Sequence, residues 1–142
     1  MTITSKMVKG SCYCEKVRFE ATFPSKFCAH CHCHNCRRAH GAAFVTWAGF
    51  KTEQVRIVSG EEQLGRFKTE TDATRSFCTT CGTTLFFSSP RWDGETHVAL
   101  ANIHDRIDRE PSAHAYFDRH VEWLTFHDDL KRYGGDSGTE PL

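Results

Sequence analysis

No stretch of this 142-residue chain approaches eighteen consecutive apolar residues, so no membrane-spanning helix is expected. The segment from Met1 to Gly10 holds no apolar run of signal-peptide length, and no export signal is read there. Net charge is lacking as well, because 18 Lys+Arg balance 18 Asp+Glu. A chain with no excess charge and no Lys/Arg run has no general pull toward nucleic acid or an anionic membrane. Large apolar side chains are scarce. Leu, Ile, Val and Phe make 28 of 142 residues, about 20%, at the low edge of what a globular core uses. Helical periodicity is weak throughout, no repeat of fixed period is present, and nothing marks a second domain. These absences point to a single soluble domain in the cytoplasm, held by something besides aliphatic burial.

What the chain does have is 8 Cys and 9 His. Eight cysteines are too few for a dense disulfide scaffold, and in a reducing cytoplasm clustered thiols point to metal or catalysis. The remaining pattern is that of short strands. Val17 to Phe23 alternates apolar and polar residues and ends at Pro24-Ser25, as a half-buried strand does. Ala43 to Phe50 is apolar on both faces, which suggests a central strand. Further short runs follow at 55–58, 64–68, 75–77, 83–88, 97–101 and 113–117, separated by turn residues. Gly10 to Cys14 reads as a tight loop, 28–40 has no strand period, and 37–40 opens a short helical turn. The expected fold is mainly β, with one domain over residues 1–135 and a tail over 136–142 that is flexible by composition.

The cysteines form three groups: Cys12-x-Cys14, Cys28-x2-Cys31-x-Cys33-x2-Cys36, and Cys78-x2-Cys81-Gly82. Thiolates one or two residues apart can face one metal across a tight turn, and a glycine beside the second eases the backbone. Three such groups point to zinc. A plain zinc ribbon pairs Cys28-x2-Cys31 with Cys78-x2-Cys81, but 46 residues separate those pairs and four cysteines are left over. Pairing Cys12 and Cys14 with Cys78 and Cys81 completes a closed four-thiolate site of structural type. Cys31, Cys33 and Cys36 then offer three thiolates and one open position, as at a catalytic zinc. Cys28, His30, His32 and His34 are further potential ligands around that cluster.

Several segments resemble the glutathione-dependent formaldehyde-activating enzyme family, which includes centromere protein V. The likeness lies in Gly10-Ser11-Cys12-Tyr13-Cys14-Glu15-Lys16-Val17-Arg18-Phe19, in Cys31-His32-Cys33-His34-Asn35-Cys36-Arg37-Arg38-Ala39-His40-Gly41, and in Phe77-Cys78-Thr79-Thr80-Cys81-Gly82. Pro111-Ser112-Ala113-His114 and Asp128-Asp129-Leu130 extend it. The resemblance implies a β-tent fold with two zinc ions, a structural one on Cys12, Cys14, Cys78 and Cys81 and a reactive one on Cys31, Cys33 and Cys36. It further implies a carbon–sulfur lyase whose partners are glutathione, or another small thiol, and formaldehyde. Lys131 stands where relatives often carry proline.

Two functions are expected to compete. One is a lyase in which zinc activates the thiol or the aldehyde; the other is a zinc-stabilised binding module without catalysis. Arg37 and Arg38, directly after the last ligand, are the candidates for holding a substrate carboxylate. The remaining histidines, His97 among them, have no ligand spacing and read as surface or core residues.

Overall fold

The computed structural model describes residues 6–142, so the start of the 1–135 domain lies outside the described residues. Among the described residues twelve strands form two open sheets, accompanied by one short α-helix and five 3-10 turns, the mainly β, single-domain architecture expected. The small sheet has the order β1-β2-β5, with β1 Met7–Ser11, β2 Arg18–Thr22 and β5 Val55–Ser59, all antiparallel. The large sheet comprises β3 Phe27–Cys31, β4 Val45–Lys51, β6 Leu64–Lys68, β7 Thr74–Cys78, β8 Thr84–Ser88, β9 Glu95–Ala99, β10 Ala113–Ala115, β11 Lys131–Gly134 and β12 Glu140–Pro141. Its order is β12-β11-β10-β3-β4-β9-β8-β7-β6. Pairing is antiparallel except where β10 runs parallel to both β3 and β11.

The apolar run at 43–50 becomes β4, the centre of the large sheet, paired with β3 and β9. Its alternate residues serve two different cores. Ala48 and Phe50 face the small sheet and join Val8, Phe19, Ala21, Leu85, Phe86 and Val98 in the main core. Val45 and Trp47 face the other way, toward Cys31, Cys36 and Ala99. Cys12, Cys28 and Cys78 are wholly buried members of the main core. The cysteines therefore fill space that aliphatic residues would otherwise occupy.

Three strands were hidden from periodicity. β1 carries Lys and Gly in a run too short to alternate visibly, β11 is mostly polar, and β3 uses Cys and His where valine or isoleucine usually stands. Residues 136–142, read from composition as a flexible tail, carry β12. Gly135 and Gly138 hold φ of 78° and 77°, values open to glycine, and they turn the chain so that β12 pairs with β11. Arg91 clasps the carbonyl and the carboxylate of Asp136, each at 3.0 Å.

Candidate metal centres and active-site cleft

The end of β1 and the end of β7 bring the first two Cys pairs together. Cys12, Cys14, Cys78 and Cys81 place their sulfurs within 4.8 Å of one another. Cys12 and Cys14 Sγ are 3.6 Å apart, and Cys14 and Cys78 Sγ 3.8 Å. Tetrahedral four-thiolate coordination at about 2.3 Å sets sulfurs about 3.8 Å apart, so the donor set fits a metal ion. Gly82, at φ 81°, closes the turn by donating its N–H to the Cys78 carbonyl at 2.8 Å. Val17 N–H donates to Cys12 Sγ at 3.3 Å. The Thr83 hydroxyl, 3.1 Å from Cys81 Sγ, is the main influence holding that thiol down at about 5. A thiol held down in this way is thiolate at neutral pH, the form that ligates metal.

The second cluster is built on the strand-to-helix turn after β3. Cys31 ends the strand, Cys33 caps the short helix α1 His34–His40, and Cys36 lies on its first turn. Cys33 Sγ accepts from the Cys36 N–H at 3.2 Å, and Gly41 in the left-handed conformation ends the helix. The three sulfurs again lie within 4.8 Å of one another, so this group too could hold a metal ion. Crowding divides the thiols unequally. Hydrogen bonds from Cys31 and Cys33, together with the Arg75 guanidinium, hold Cys36 well below the ordinary thiol range, whereas the Cys31–Cys33 bond leads the influences that raise Cys31. Arg75 Nη2 donates to Cys36 Sγ at 3.6 Å.

This cluster opens on a cleft of about 980 Å³. Trp47, Phe87, Trp92 and Tyr116 give it apolar walls, and Arg75, Arg91 and Arg119 line it with positive charge. Such a space, apolar with a few convergent polar groups, is of the size that takes a small organic ligand. His97 also lines it. Its Nε2 bonds Glu95 at 2.9 Å, and Lys26 holds the other Glu95 oxygen at 2.7 Å.

Of the remaining residues read from sequence, His34 lines the cleft and His32 does not. His32 points to the opposite side of the strand, fully buried, and bonds His114 Nδ1 at 2.8 Å; His114 Nε2 bonds the Asp128 carboxylate at 2.9 Å. Burial, and then the neighbouring His114, push His32 down to about 4, so it is neutral. The chain His32–His114–Asp128 ties the β3–α1 turn to two distant segments. Cys28 stands across from Ala48 on the main-core face, three residues from Cys31 and therefore on the other side of the sheet. It belongs to the core and not to the sulfur cluster. Neither Arg37 nor Arg38 lines the cleft; Arg37 bonds the His32 carbonyl and the His34 ring. Arg75, Arg91 and Arg119 take that place. Arg75 sits in a β-strand with no motif around it, so only its pairing with Phe87 across the sheet reveals it.

A family model described as "Glutathione-dependent formaldehyde-activating enzyme" matches residues 7–119. A Halomonas elongata protein named for glutathione-dependent formaldehyde activation is 26% identical over 125 residues, covering 83% of this chain and 80% of the relative. A Schizosaccharomyces pombe protein named as an uncharacterized lyase is 32% identical over 80 residues, 56% of each chain. A crystal structure of a Rhodobacter sphaeroides protein superposes with a TM-score of 0.60 at 29% identity, over 71% of this chain and 92% of that one.

Proposed function

The chain belongs to the glutathione-dependent formaldehyde-activating enzyme family, and from that premise we propose that it is a zinc-dependent carbon–sulfur lyase. Its substrate is an adduct of a small thiol with formaldehyde, of the S-(hydroxymethyl)glutathione type, formed or cleaved according to concentration. Cys12, Cys14, Cys78 and Cys81 would hold a structural zinc. Cys31, Cys33 and Cys36 would hold a second zinc, at which the chemistry takes place. The observation that carries the reading is the three-sulfur group opening directly onto a large, arginine-lined cleft.

Zinc in such a site supplies Lewis-acid stabilisation of a thiolate at neutral pH. The chain's own residues supply position and charge. Trp47, Phe87 and Tyr116 exclude water from the apolar part of the ligand, while Arg119 is available to its carboxylates. Thiols and formaldehyde combine unaided, so the contribution of the protein is to orient the two and to raise the thiolate fraction. Eight unpaired thiols suit a reducing compartment, the cytoplasm.

Exchange NMR spectroscopy tests this with the zinc-loaded protein, formaldehyde and either glutathione or another small thiol. Acceleration of adduct formation above the buffer rate for at least one thiol is expected. No acceleration for any of them would leave a zinc-stabilised binding module as the better account.

A further inference from the structure

We propose that Arg75 is a catalytic residue that binds the aldehyde-derived oxygen at the three-cysteine site. The assignment rests on the lyase reading above and names the oxyanion-binding group of the same site. Arg75 stands in β7, the strand whose end carries Cys78 of the four-cysteine group. Alternation along that strand sends Cys78 into the main core and Arg75 to the cleft side. One guanidinium nitrogen, Nη2, donates to Cys36 Sγ at 3.6 Å. The guanidinium carbon lies 4.8 Å from the centre of the Phe87 ring, a stacking contact that fixes its plane. The other terminal nitrogen, Nη1, is buried and has no hydrogen-bond partner among the described residues.

A buried donor left without an acceptor is costly, and few native proteins tolerate one without a use for it. Because the side chain lines the cleft, a ligand entering there can supply the missing acceptor. Two oxygens of the substrate compete for that role. The carboxylates of a tripeptide thiol lie several bonds from its sulfur, and Arg119 is in the cleft to meet them. The hydroxymethyl oxygen is only two bonds from the sulfur. A guanidinium already bonded to a sulfur of the cluster is placed for the nearer oxygen.

In the forward direction a sulfur lone pair forms the S–C bond, and the C=O π pair moves onto oxygen. The resulting alkoxide takes up the proton that the thiol gave to solvent on ionising. In the reverse direction the hydroxyl loses its proton, the C=O bond re-forms and the S–C electron pair returns to sulfur. Arg75 acts by donating a hydrogen bond where negative charge develops.

The test uses the full chain with zinc bound and two variants, Arg75→Gln and Arg75→Lys. For Arg75→Gln the expected result is a fall in kcat of about 10²-fold, with KM for glutathione within about twofold and zinc per chain unchanged. Arg75→Lys recovers part of the loss, since it keeps one charged donor. Cysteamine, a thiol with no carboxylate, is affected by the same factor. A rise in KM for glutathione at constant kcat, with cysteamine untouched, makes Arg75 a carboxylate anchor and overturns the proposal; full activity in Arg75→Gln also overturns it. A second readout is independent of turnover and of variant folding. The ¹⁵N side-chain resonances of Arg75 shift when glutathione and formaldehyde are present together, and stay in place with glutathione alone. A shift with glutathione alone contradicts the assignment. No acceleration by the wild-type protein with any thiol removes the lyase reading itself, an outcome distinct from an active wild type with an indifferent Arg75.

Discussion

Cys28 and Cys31 lie three residues apart on one strand, and that odd spacing sends them to opposite faces of the sheet. Cys31 meets Cys33 and Cys36, whereas Cys28 packs in the main core, where burial raises its thiol to about 11. An un-ionised thiol at that position is a small apolar side chain. Cys28→Ala therefore keeps two zincs per chain and the adduct-forming rate, and costs no more than a small cavity, about 1 kcal/mol in urea unfolding. Loss of a zinc in this variant would mean that Cys28 is a ligand. His97 illustrates a group that composition cannot locate. Burial lowers its pKa from 6.5, and the Glu95 carboxylate only partly offsets that. The folded protein thus holds His97 neutral at a pH where the unfolded chain takes up a proton, and stability falls as pH drops below about 6.5. His97→Gln keeps a donor for Glu95 but cannot titrate. Between pH 7.5 and 5.5 its unfolding free energy should fall less than that of the wild type; an equal fall would place the titrating group elsewhere.

At the scale of elements, the turn joining β3 to α1 is the part the motif most clearly announced. Cys31-x-Cys33-x2-Cys36 is legible because a metal cluster must be local, and the short helix follows from the Cys33 cap and the Gly41 stop. What fixes that turn in space was not legible. His32, His114 and Asp128 are far apart in sequence, and only the parallel pairing of β10 with β3 brings His114 beside the turn. A histidine without ligand spacing gives no signal of such a contact. His114→Ala removes the link in the middle and leaves a buried His32 nitrogen without its partner. We expect a loss of about 1–3 kcal/mol in urea unfolding. The Cys12, Cys14, Cys78 and Cys81 zinc should stay bound, and the second zinc should bind more weakly in a competition titration with a chelator. Equal weakening at both sites would mean general loosening of the fold, not a local anchor. The strand β3 itself escaped notice for a related reason, because its cysteines and histidines satisfy chemistry and packing together and erase the apolar period.

Across the whole molecule, the scarcity of aliphatic residues and the abundance of cysteine have one physical cause. A structural zinc in a small domain contributes on the order of 10–16 kcal/mol to folding. A typical domain has a net stability of about 5–15 kcal/mol, so the four-cysteine site can stand in for a larger core. Its ligands come from the ends of β1 and β7, so the site joins the small sheet to the far part of the large one. The three-cysteine site lies on the opposite face of β4 and adds little to that junction. On the proposed function, one group of thiols holds the fold and the other works within it. The measurement that tests this division most directly is zinc per chain together with the melting temperature, in the wild type, Cys36→Ser and Cys78→Ser. Two zincs are expected in the wild type. One zinc, a nearly unchanged melting temperature and no acceleration of adduct formation are expected in Cys36→Ser, and loss of the folded state in Cys78→Ser. A single zinc in the wild type, or a Cys36→Ser protein that unfolds as readily as Cys78→Ser, would contradict that division.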